Sequence, residues 1–276
     1  MQKDKRFFSL SIINLDQFRS SGGHVGHRFS AWRPAAMGLK HFQNVRGGFV
    51  LFNLHRSGYY IQKAFLLFKK MSQRGSVVLY IDSGKVASSV IKSAGLFSNI
   101  PYISTLWIGG ILTNFRETVY KLRKSNQSLI KKNRKTLPIG LLHLDFVPEI
   151  IVSSSEFYSP FAIAEANTLS IPSISIVDSN LAFIESTYPI PLNDDSFLTI
   201  KSLFFIFSSA YWFGRADFAM RYLKITNSFL LKKILKNNSF SSLFLAERSI
   251  KSWSRGIKLR KTFVSANTLT IVKLFQ

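Results

Sequence analysis

Apolar residues recur along the middle of the chain in two alternating patterns. Short runs of β-branched and aromatic residues predict buried strands at 49–54, 77–81, 149–153 and 173–177. Apolar residues at helical spacing predict helices at 57–74, 85–94, 160–169 and 197–213. Because strands and helices alternate, we expect the strands to pair in parallel and to form an open, doubly wound α/β sheet.

The segments on either side follow neither pattern. Residues 21–48 are rich in Gly, His and Arg and predict an irregular arm, and residues 113–135 predict an exposed, charged helical projection. We therefore divide the chain into three parts. These are a basic N-terminal arm (1–48), an α/β domain (49–214, with a helical insertion at about 113–140) and a basic C-terminal extension (215–276).

The net charge and its distribution along the chain limit the possible partners. The chain has 37 Lys and Arg against 14 Asp and Glu, a formal net charge of +23, which predicts a polyanionic partner. Residues 136–200, in contrast, contain eight acidic residues and no Lys or Arg, so we expect them to form core and a face turned away from that partner. The absence of cysteine excludes disulfides, iron–sulfur clusters and cysteine nucleophiles.

Two apolar stretches are candidates for membrane spans. Residues 93–115 carry no charge over 23 positions, but glycine, proline and asparagine divide them into short elements. Residues 202–214 are only 13 positions long, which suits a buried helix better. We therefore expect no membrane partner.

Candidate catalytic groups are sparse. His24 and His27 are spaced for one metal ion but have no third ligand nearby, so we expect no metal site. Asp194 and Asp195 stand just before a predicted helix and indicate a helix cap rather than a catalytic carboxylate pair. The chain also lacks a GxSxG nucleophile elbow. These observations predict a protein that is not an enzyme and has no cofactor.

Two other segments have residues suited to binding nucleic acid. Asp82-Ser83-Gly84-Lys85 follows a strand and opens a predicted helix, a place suited to a backbone phosphate, although it lacks the GxxxxGK[ST] pattern of nucleotide hydrolases. Arg28, Trp32 and Arg33 combine positive charge with an aromatic ring, which suits unpaired bases and phosphates. The alternative for Trp32 is that its ring packs in the core.

Several motifs, in a consistent order, resemble one family. Gly23-His24-Val25-Gly26-His27 is followed by Trp32 and Pro34, and Trp107-Ile108-Gly109-Gly110 by Leu112-Thr113-Asn114. Further landmarks are Glu165-Ala166-Asn167, Ile171-Pro172, Ile176-Val177-Asp178 and Pro191 with Asn193-Asp194-Asp195. Over roughly residues 21–214 the chain thus resembles the S2 family of small-subunit ribosomal proteins. It departs from the family pattern at Leu106, where a basic residue is common, and in a shorter helical insertion.

The resemblance implies a flavodoxin-like fold and a structural role in the small ribosomal subunit, with ribosomal RNA and neighbouring ribosomal proteins as partners. It suggests a set of RNA-binding residues along the motifs and the basic segments near them. They are His24, His27, Arg28, Trp32, Arg33, Lys85, Trp107, Gly109, Gly110, Thr113, Asn114 and Arg116.

Two other functions remain open. One is a phosphate-ligand enzyme on the same scaffold, using Lys85 and the loop at Asp178. The other is a free RNA-binding regulator. As to compartment, the 26 phenylalanines, together with frequent Ile, Ser, Lys and Asn, resemble the product of an AT-rich organelle genome. A mitochondrial ribosome is the first expectation and a chloroplast ribosome the alternative.

The C-terminal extension is predicted to be a second anchor, because residues 215–276 carry 13 basic and 2 acidic residues among several aromatic ones. Deleting it should leave the α/β domain folded, as judged by circular dichroism. The shortened protein should, however, leave the subunit at a lower salt concentration than the full chain does. Salt resistance equal to that of the full chain would contradict an anchoring role.

Overall fold

The computed structural model describes residues 13–33, 41–121, 124, 144 and 146–226, with side chains described as far as 219. The chain divides into two compact units, Met1–Gly214 and Arg215–Gln276. Its α-helices and β-strands follow in chain order. They are α1 (Leu15–Ser20), β1 (Val25–Arg28), β2 (Phe42–Arg46), β3 (Phe49–Phe52), α2 (Leu54–Gln73), β4 (Val78–Ile81), α3 (Ser88–Ser98), β5 (Tyr102–Ile103), β6 (Ile150–Ser153), α4 (Pro160–Thr168), β7 (Ser173–Val177), β8 (Tyr188–Pro191) and α5 (Phe197–Thr226).

Five strands form one parallel sheet in the order β5-β4-β6-β7-β8. Numbered within the sheet along the chain, this is the order 2-1-3-4-5 of flavodoxin-like folds. The expected α/β fold class is therefore confirmed. Strands β5 and β8 were not predicted, because β5 has only two residues and β8 contains two prolines.

Alternation along the strands explains why helices cover both faces of this sheet. Val78 and Tyr80 of β4 belong to a core cluster with residues of α2, α3 and α5. Their neighbours Leu79 and Ile81 belong to a second cluster with residues of α4 and of the segment 107–115. Successive strand residues point to opposite faces, so the fully buried runs of β4, β6 and β7 fill two cores at once.

Helix α5 supplies much of the first core. Its Phe204 ring meets Tyr80 edge-on at 5.1 Å, and its Phe207 ring lies 5.5 Å from Phe68 of α2. Among the described residues, one stretch, Phe197–Ala219, is long and apolar enough to cross a membrane, but 61% of its most apolar window is buried inside the protein. That burial fits a core helix. The helix continues past the predicted end at residue 213 as far as Thr226.

The prediction of an irregular arm over 21–48 is wrong for β1 and β2. These strands pair antiparallel with β3 in the order β1-β3-β2, which we call the N-terminal sheet. Gly47 and Gly48 both have positive φ, 59° and 79°, and link β2 to β3 in a tight turn. The predicted strand at 49–54 exists as β3, but it belongs to this sheet and not to the parallel one.

The predicted helix at 85–94 begins and ends later than expected. Residues 84–87 form a turn, α3 runs from Ser88 to Ser98, and Asn99 ends it in the left-handed conformation. Gly95 was expected to stop the helix but lies inside it. A Cβ at Gly95 would come within 2.4 Å of the Tyr102 ring, so glycine is needed there for packing.

The predicted helical projection falls mostly outside the described residues. Within its described part, residues 115–121 and 124 are helical. Of the C-terminal extension, residues 215–226 continue α5, and the basic clusters beyond them also lie outside the described residues.

Gly214 lies where α5 crosses α2, and we expect Gly214→Ala to destabilise the protein. A Cβ there would stand 2.4 Å from Cβ of Ser72 and 2.6 Å from the carbonyl oxygen of Lys69. Overpacking of this kind costs about 1–3 kcal/mol, against a gain of about 1 kcal/mol in helix propensity. Urea unfolding should therefore show a net loss. Gly109→Ala is the control, because an added Cβ there meets nothing within 4 Å. Equal stability of the two variants would contradict this prediction.

Candidate nucleic-acid interface

Buried polar side chains follow four neighbouring strands at the carboxyl edge of the parallel sheet. Asp82 follows β4, Ser154 and Ser155 follow β6, Asp178 follows β7 and Asp194 follows β8; all five are at most 4% exposed. Ser154 Oγ donates to Asp82, and Ser155 Oγ donates to Asp194 Oδ2 at 2.5 Å. The sequence predicted that the acidic stretch 136–200 would form core and a face turned away from a polyanion, and two of its acids, Asp178 and Asp194, are buried inside the protein.

His27 connects the N-terminal sheet to this edge. Its Nδ1 lies 3.2 Å from Oδ2 of Asp178, and its Nε2 lies 3.3 Å from Oδ2 of Asp195. Its backbone N–H donates to Oγ of Ser179 at 2.9 Å. The hydrogen bond to Asp178, with the nearby carboxylates, raises the pKa of His27 to about 9 although burial opposes this. In the absence of another cation, His27 is therefore charged at neutral pH.

The carboxyl of Asp194 is held in an unfavourable place for a negative charge. Burial raises its pKa, and the neighbouring Asp178 raises it further. Ligand atoms of His27, Asp178 and Asp194 lie within 4.8 Å of one another, close enough for one cation to reach all three. Sequence reasoning found His27 but not its partners, because they lie far along the chain and meet only at the sheet edge.

Asn193 fastens the arm next to His27. Its side-chain Nδ2 donates to the carbonyl oxygens of Val25 at 2.6 Å and Gly22 at 3.3 Å. Its Oδ1 accepts from the N–H groups of Asp195 and Ser196, at 2.8 and 3.1 Å. One side chain thus joins β1 to the turn that opens α5.

Two arginines flank a phenylalanine on the N-terminal sheet. Arg28 of β1 and Arg46 of β2 are both register partners of Phe49 in the middle strand β3. Residues directly opposite one another in a sheet point to the same face. All three are exposed, Phe49 by 40%. Arg28 was predicted as a candidate, but Arg46 and Phe49 were missed, because their neighbourhood depends on the pairing of strands.

The Trp32 ring is half-buried, with its centroid 5.1 Å from that of Phe42 and 5.4 Å from that of Phe29. It packs on neighbouring aromatic rings rather than in either core of the parallel sheet. The neighbouring Arg33 has an exposed side chain and donates its backbone N–H to the carbonyl oxygen of Ser179 at 2.8 Å. His24 is half-buried, and burial lowers its pKa.

Glu165 of α4 accepts hydrogen bonds from several residues of the motif at 107–114. Its Oε1 accepts from Nε1 of Trp107 at 3.0 Å and from the N–H of Gly110 at 2.8 Å. Its Oε2 accepts from the N–H groups of Leu112 and Thr113, at 3.0 and 3.3 Å. Burial raises the pKa of Glu165, but the donated hydrogen bonds outweigh burial, so the pKa lies below its usual value. Trp107, Gly110 and Thr113 thus have partners within the protein.

The other predicted site residues are exposed. They are Lys85, Gly109, Asn114 and Arg116. Lys85 lies in the turn that precedes α3 and not at the start of the helix, which begins at Ser88; a phosphate contact at Lys85 stays a prediction. Asn114 Nδ2 donates to Glu117 at 3.4 Å.

Taken together, the fold and this region define a flavodoxin-like α/β protein with a basic, aromatic sheet attached to its carboxyl edge. The family model for Ribosomal protein S2 matches residues 19–214, which include both. The chain belongs to the ribosomal protein S2 family.

Individual bacterial proteins are similar over most of the chain. Small ribosomal subunit protein uS2 of Fusobacterium nucleatum subsp. nucleatum is 28% identical over 223 residues, which cover 73% of this chain and 90% of that protein. Small ribosomal subunit protein uS2 of Chlamydia muridarum is 29% identical over 210 residues, 68% of this chain and 74% of that protein.

We expect Glu165→Gln to destabilise the protein by about 2 kcal/mol at neutral pH, because hydrogen bonds to a charged acceptor contribute about 1.5–3 kcal/mol and an amide cannot accept all of them. Since folding lowers the pKa of Glu165, its contribution is present above the usual carboxyl pKa and disappears as the pH falls through the folded value. The difference from wild type in urea unfolding should therefore shrink in acid. Glu185→Gln, at an exposed side chain, is the control. A difference that is constant with pH would contradict the role of the charge.

Proposed function

We propose that this protein is a structural constituent of the small ribosomal subunit and that it binds ribosomal RNA through the exposed face of the N-terminal sheet. Membership of the family supports the first part. The observation that carries the second part is the cross-strand row Arg28-Phe49-Arg46. Two guanidinium groups beside one exposed ring form a surface that fits phosphates on either side of an unpaired base.

Charge supports this face as well. Arg28, Arg33 and Arg46 are exposed, whereas Asp178 and Asp194 at the adjacent sheet edge are buried. Their burial keeps these two carboxylates away from a bound phosphate backbone, and the exposed acid at this edge is Asp195, which lies 3.3 Å from Nε2 of His27. Phosphate neutralisation supplies most of such affinity, and the irregular shape of folded RNA supplies the selectivity.

The other predicted contacts divide into two groups. Lys85 and Arg116 are exposed cations and are further proposed phosphate contacts. Trp107, Gly110 and Thr113 donate hydrogen bonds to Glu165. We propose that they fix the conformation of the loop on which Gly109, Asn114 and Arg116 are exposed. Neighbouring ribosomal proteins are the second class of partner that we propose.

We propose no catalytic role, because the acids at the sheet edge are engaged with serines, with the backbone and with His27. The mitochondrial ribosome remains our proposal for the compartment. It is supported by the amino-acid bias, while the relatives described above are bacterial. A fluorescent fusion of the full chain, imaged with mitochondrial and chloroplast markers, tests it.

The RNA-binding face is tested by neutralising Arg28 and Arg46 together (Arg28→Gln with Arg46→Gln). The purified variant is titrated with transcribed small-subunit RNA over a range of salt concentrations. Each lost phosphate contact should lower the slope of log K against log [salt] by about 1, so the double variant should lose about 2.

The matched control replaces two exposed lysines of α2 and α3 in the same way (Lys63→Gln with Lys92→Gln), which changes the net charge equally. If both double variants lose the same slope, binding depends on total charge, and the proposed face is wrong. Phe49→Ala should weaken binding with little change in the slope, because a ring contributes no counter-ion release.

A further inference from the structure

Three groups that prefer metal ions come together where the N-terminal sheet meets the parallel sheet. His27 lies on β1, and Asp178 and Asp194 follow the adjacent parallel strands β7 and β8. One ligand atom from each lies within 4.8 Å of the other two. The carboxyl ends of neighbouring parallel strands meet at one edge, so the fold itself places both carboxylates there.

We propose that His27, Asp178 and Asp194 bind one divalent transition-metal ion, zinc above all, which fastens the N-terminal sheet to the α/β domain. Nδ1 of His27 faces Asp178 at 3.2 Å and is the nitrogen ligand. Nε2 faces Asp195 at 3.3 Å. A carboxylate that accepts the second N–H of a metal-binding imidazole is the usual arrangement for fixing the orientation of the ring.

The Asp194 carboxylate independently indicates a missing partner. It is 4% exposed, and its Oδ2 accepts from Ser155, but its Oδ1 is buried with no hydrogen-bond partner among the described residues. A buried carboxylate oxygen without a donor is costly. A cation between Asp194 and His27 would remove that cost.

The surrounding contacts keep Asp178 ready for such a cation. Its Oδ1 accepts from the backbone N–H and Oγ of Ser179, at 2.5 and 3.0 Å. Its Oδ2 faces Nδ1 of His27 at 3.2 Å and accepts only a long hydrogen bond, from the backbone N–H of Asp194 at 3.4 Å. Gly26 leaves this space open, since a Cβ at that position would lie 2.8 Å from Ser179 Oγ and 3.1 Å from Asp178 Oδ1.

Charge and access also fit a cation. Three carboxylates, those of Asp178, Asp194 and Asp195, surround a single imidazole, so negative charge is in excess at a mostly buried place. A cavity of about 410 Å³, lined by His27, Asp178 and Asp195 among others, opens beside the cluster. It gives a path for an ion and room for water as a fourth ligand.

The donor set selects the metal. Magnesium and calcium prefer oxygen ligands alone, whereas an imidazole with carboxylates suits zinc. Around a tetrahedral zinc ion with bonds of about 2.0–2.1 Å, ligand atoms lie about 3.3 Å apart, so the three side chains need only a small closing movement. Such an ion would hold β1, and with it Arg28, in place against the sheet edge.

The test is metal binding by the full chain, freed of metal with EDTA and titrated with Zn²⁺ against a chromophoric chelator. We expect one zinc ion per chain, a melting temperature that rises with zinc concentration, and the visible absorption of tetrahedral Co²⁺ when cobalt replaces zinc. Asp194→Asn and His27→Gln should abolish all three signals. Asp195→Asn, which alters an exposed carboxylate and should leave the fold intact, should weaken zinc binding by about 10–100-fold.

His55→Gln is the control for surface binding, because His55 is exposed on α2, away from the cluster. Circular dichroism establishes that each variant is folded. The proposal is overturned if wild type shows no saturable zinc binding, if Asp195→Asn and Asp194→Asn bind zinc as wild type does, or if Mg²⁺ competes with Zn²⁺ at equal concentration. Since the measurement uses the isolated chain, its outcome is independent of the ribosomal assignment.

Discussion

The fastening of the N-terminal sheet to the carboxyl edge of the parallel sheet is the constraint on which the rest of the functional region depends. Asn193 binds the backbone at Val25, Ser179 binds the backbone of His27, and Asp178 pairs with its ring. These are polar contacts between segments far apart in sequence. Phe52 of β3 also packs with Val177 of β7 in a small apolar cluster, so polar contacts and this packing together set the orientation of the N-terminal sheet.

Burial of the acidic groups explains how a chain with a net charge of +23 can be both folded and basic on its surface. Asp82, Glu156, Asp178 and Asp194 are each at most 4% exposed and accept hydrogen bonds from serines or backbone N–H groups. These hydrogen bonds connect distant segments of the chain, although Oδ1 of Asp194 and Oδ2 of Asp82 accept none among the described residues. Exposed acids such as Glu149, Glu185 and Asp195 remain, but exposed arginine and lysine side chains outnumber them on the described surface.

The sequence predicted the parts whose pattern is local. Runs such as Ser173–Val177 are apolar throughout because helices cover both faces of the sheet, and this strand was predicted with its observed bounds. β2 was missed because its residues are largely exposed, and β5 because it is too short for any period to show. The same limit applied to the site: His27 was found from a motif, but its partners and the pairing of Arg46 with Phe49 arise only from the tertiary fold.

The motifs that carried the family resemblance consist largely of residues with partners inside the protein. Gly23 and Gly26 have no room for a Cβ, since each would place one about 3 Å from atoms of other segments. Trp107 and Gly110 bind Glu165, itself part of another motif. Such residues fix the conformation of loops within the protein. A resemblance based on them therefore identifies the fold more directly than it identifies the contacts with a partner molecule. In our proposal the partner is instead recognised by exposed side chains such as Arg28 and Arg46, which lie on strands that those residues help to position.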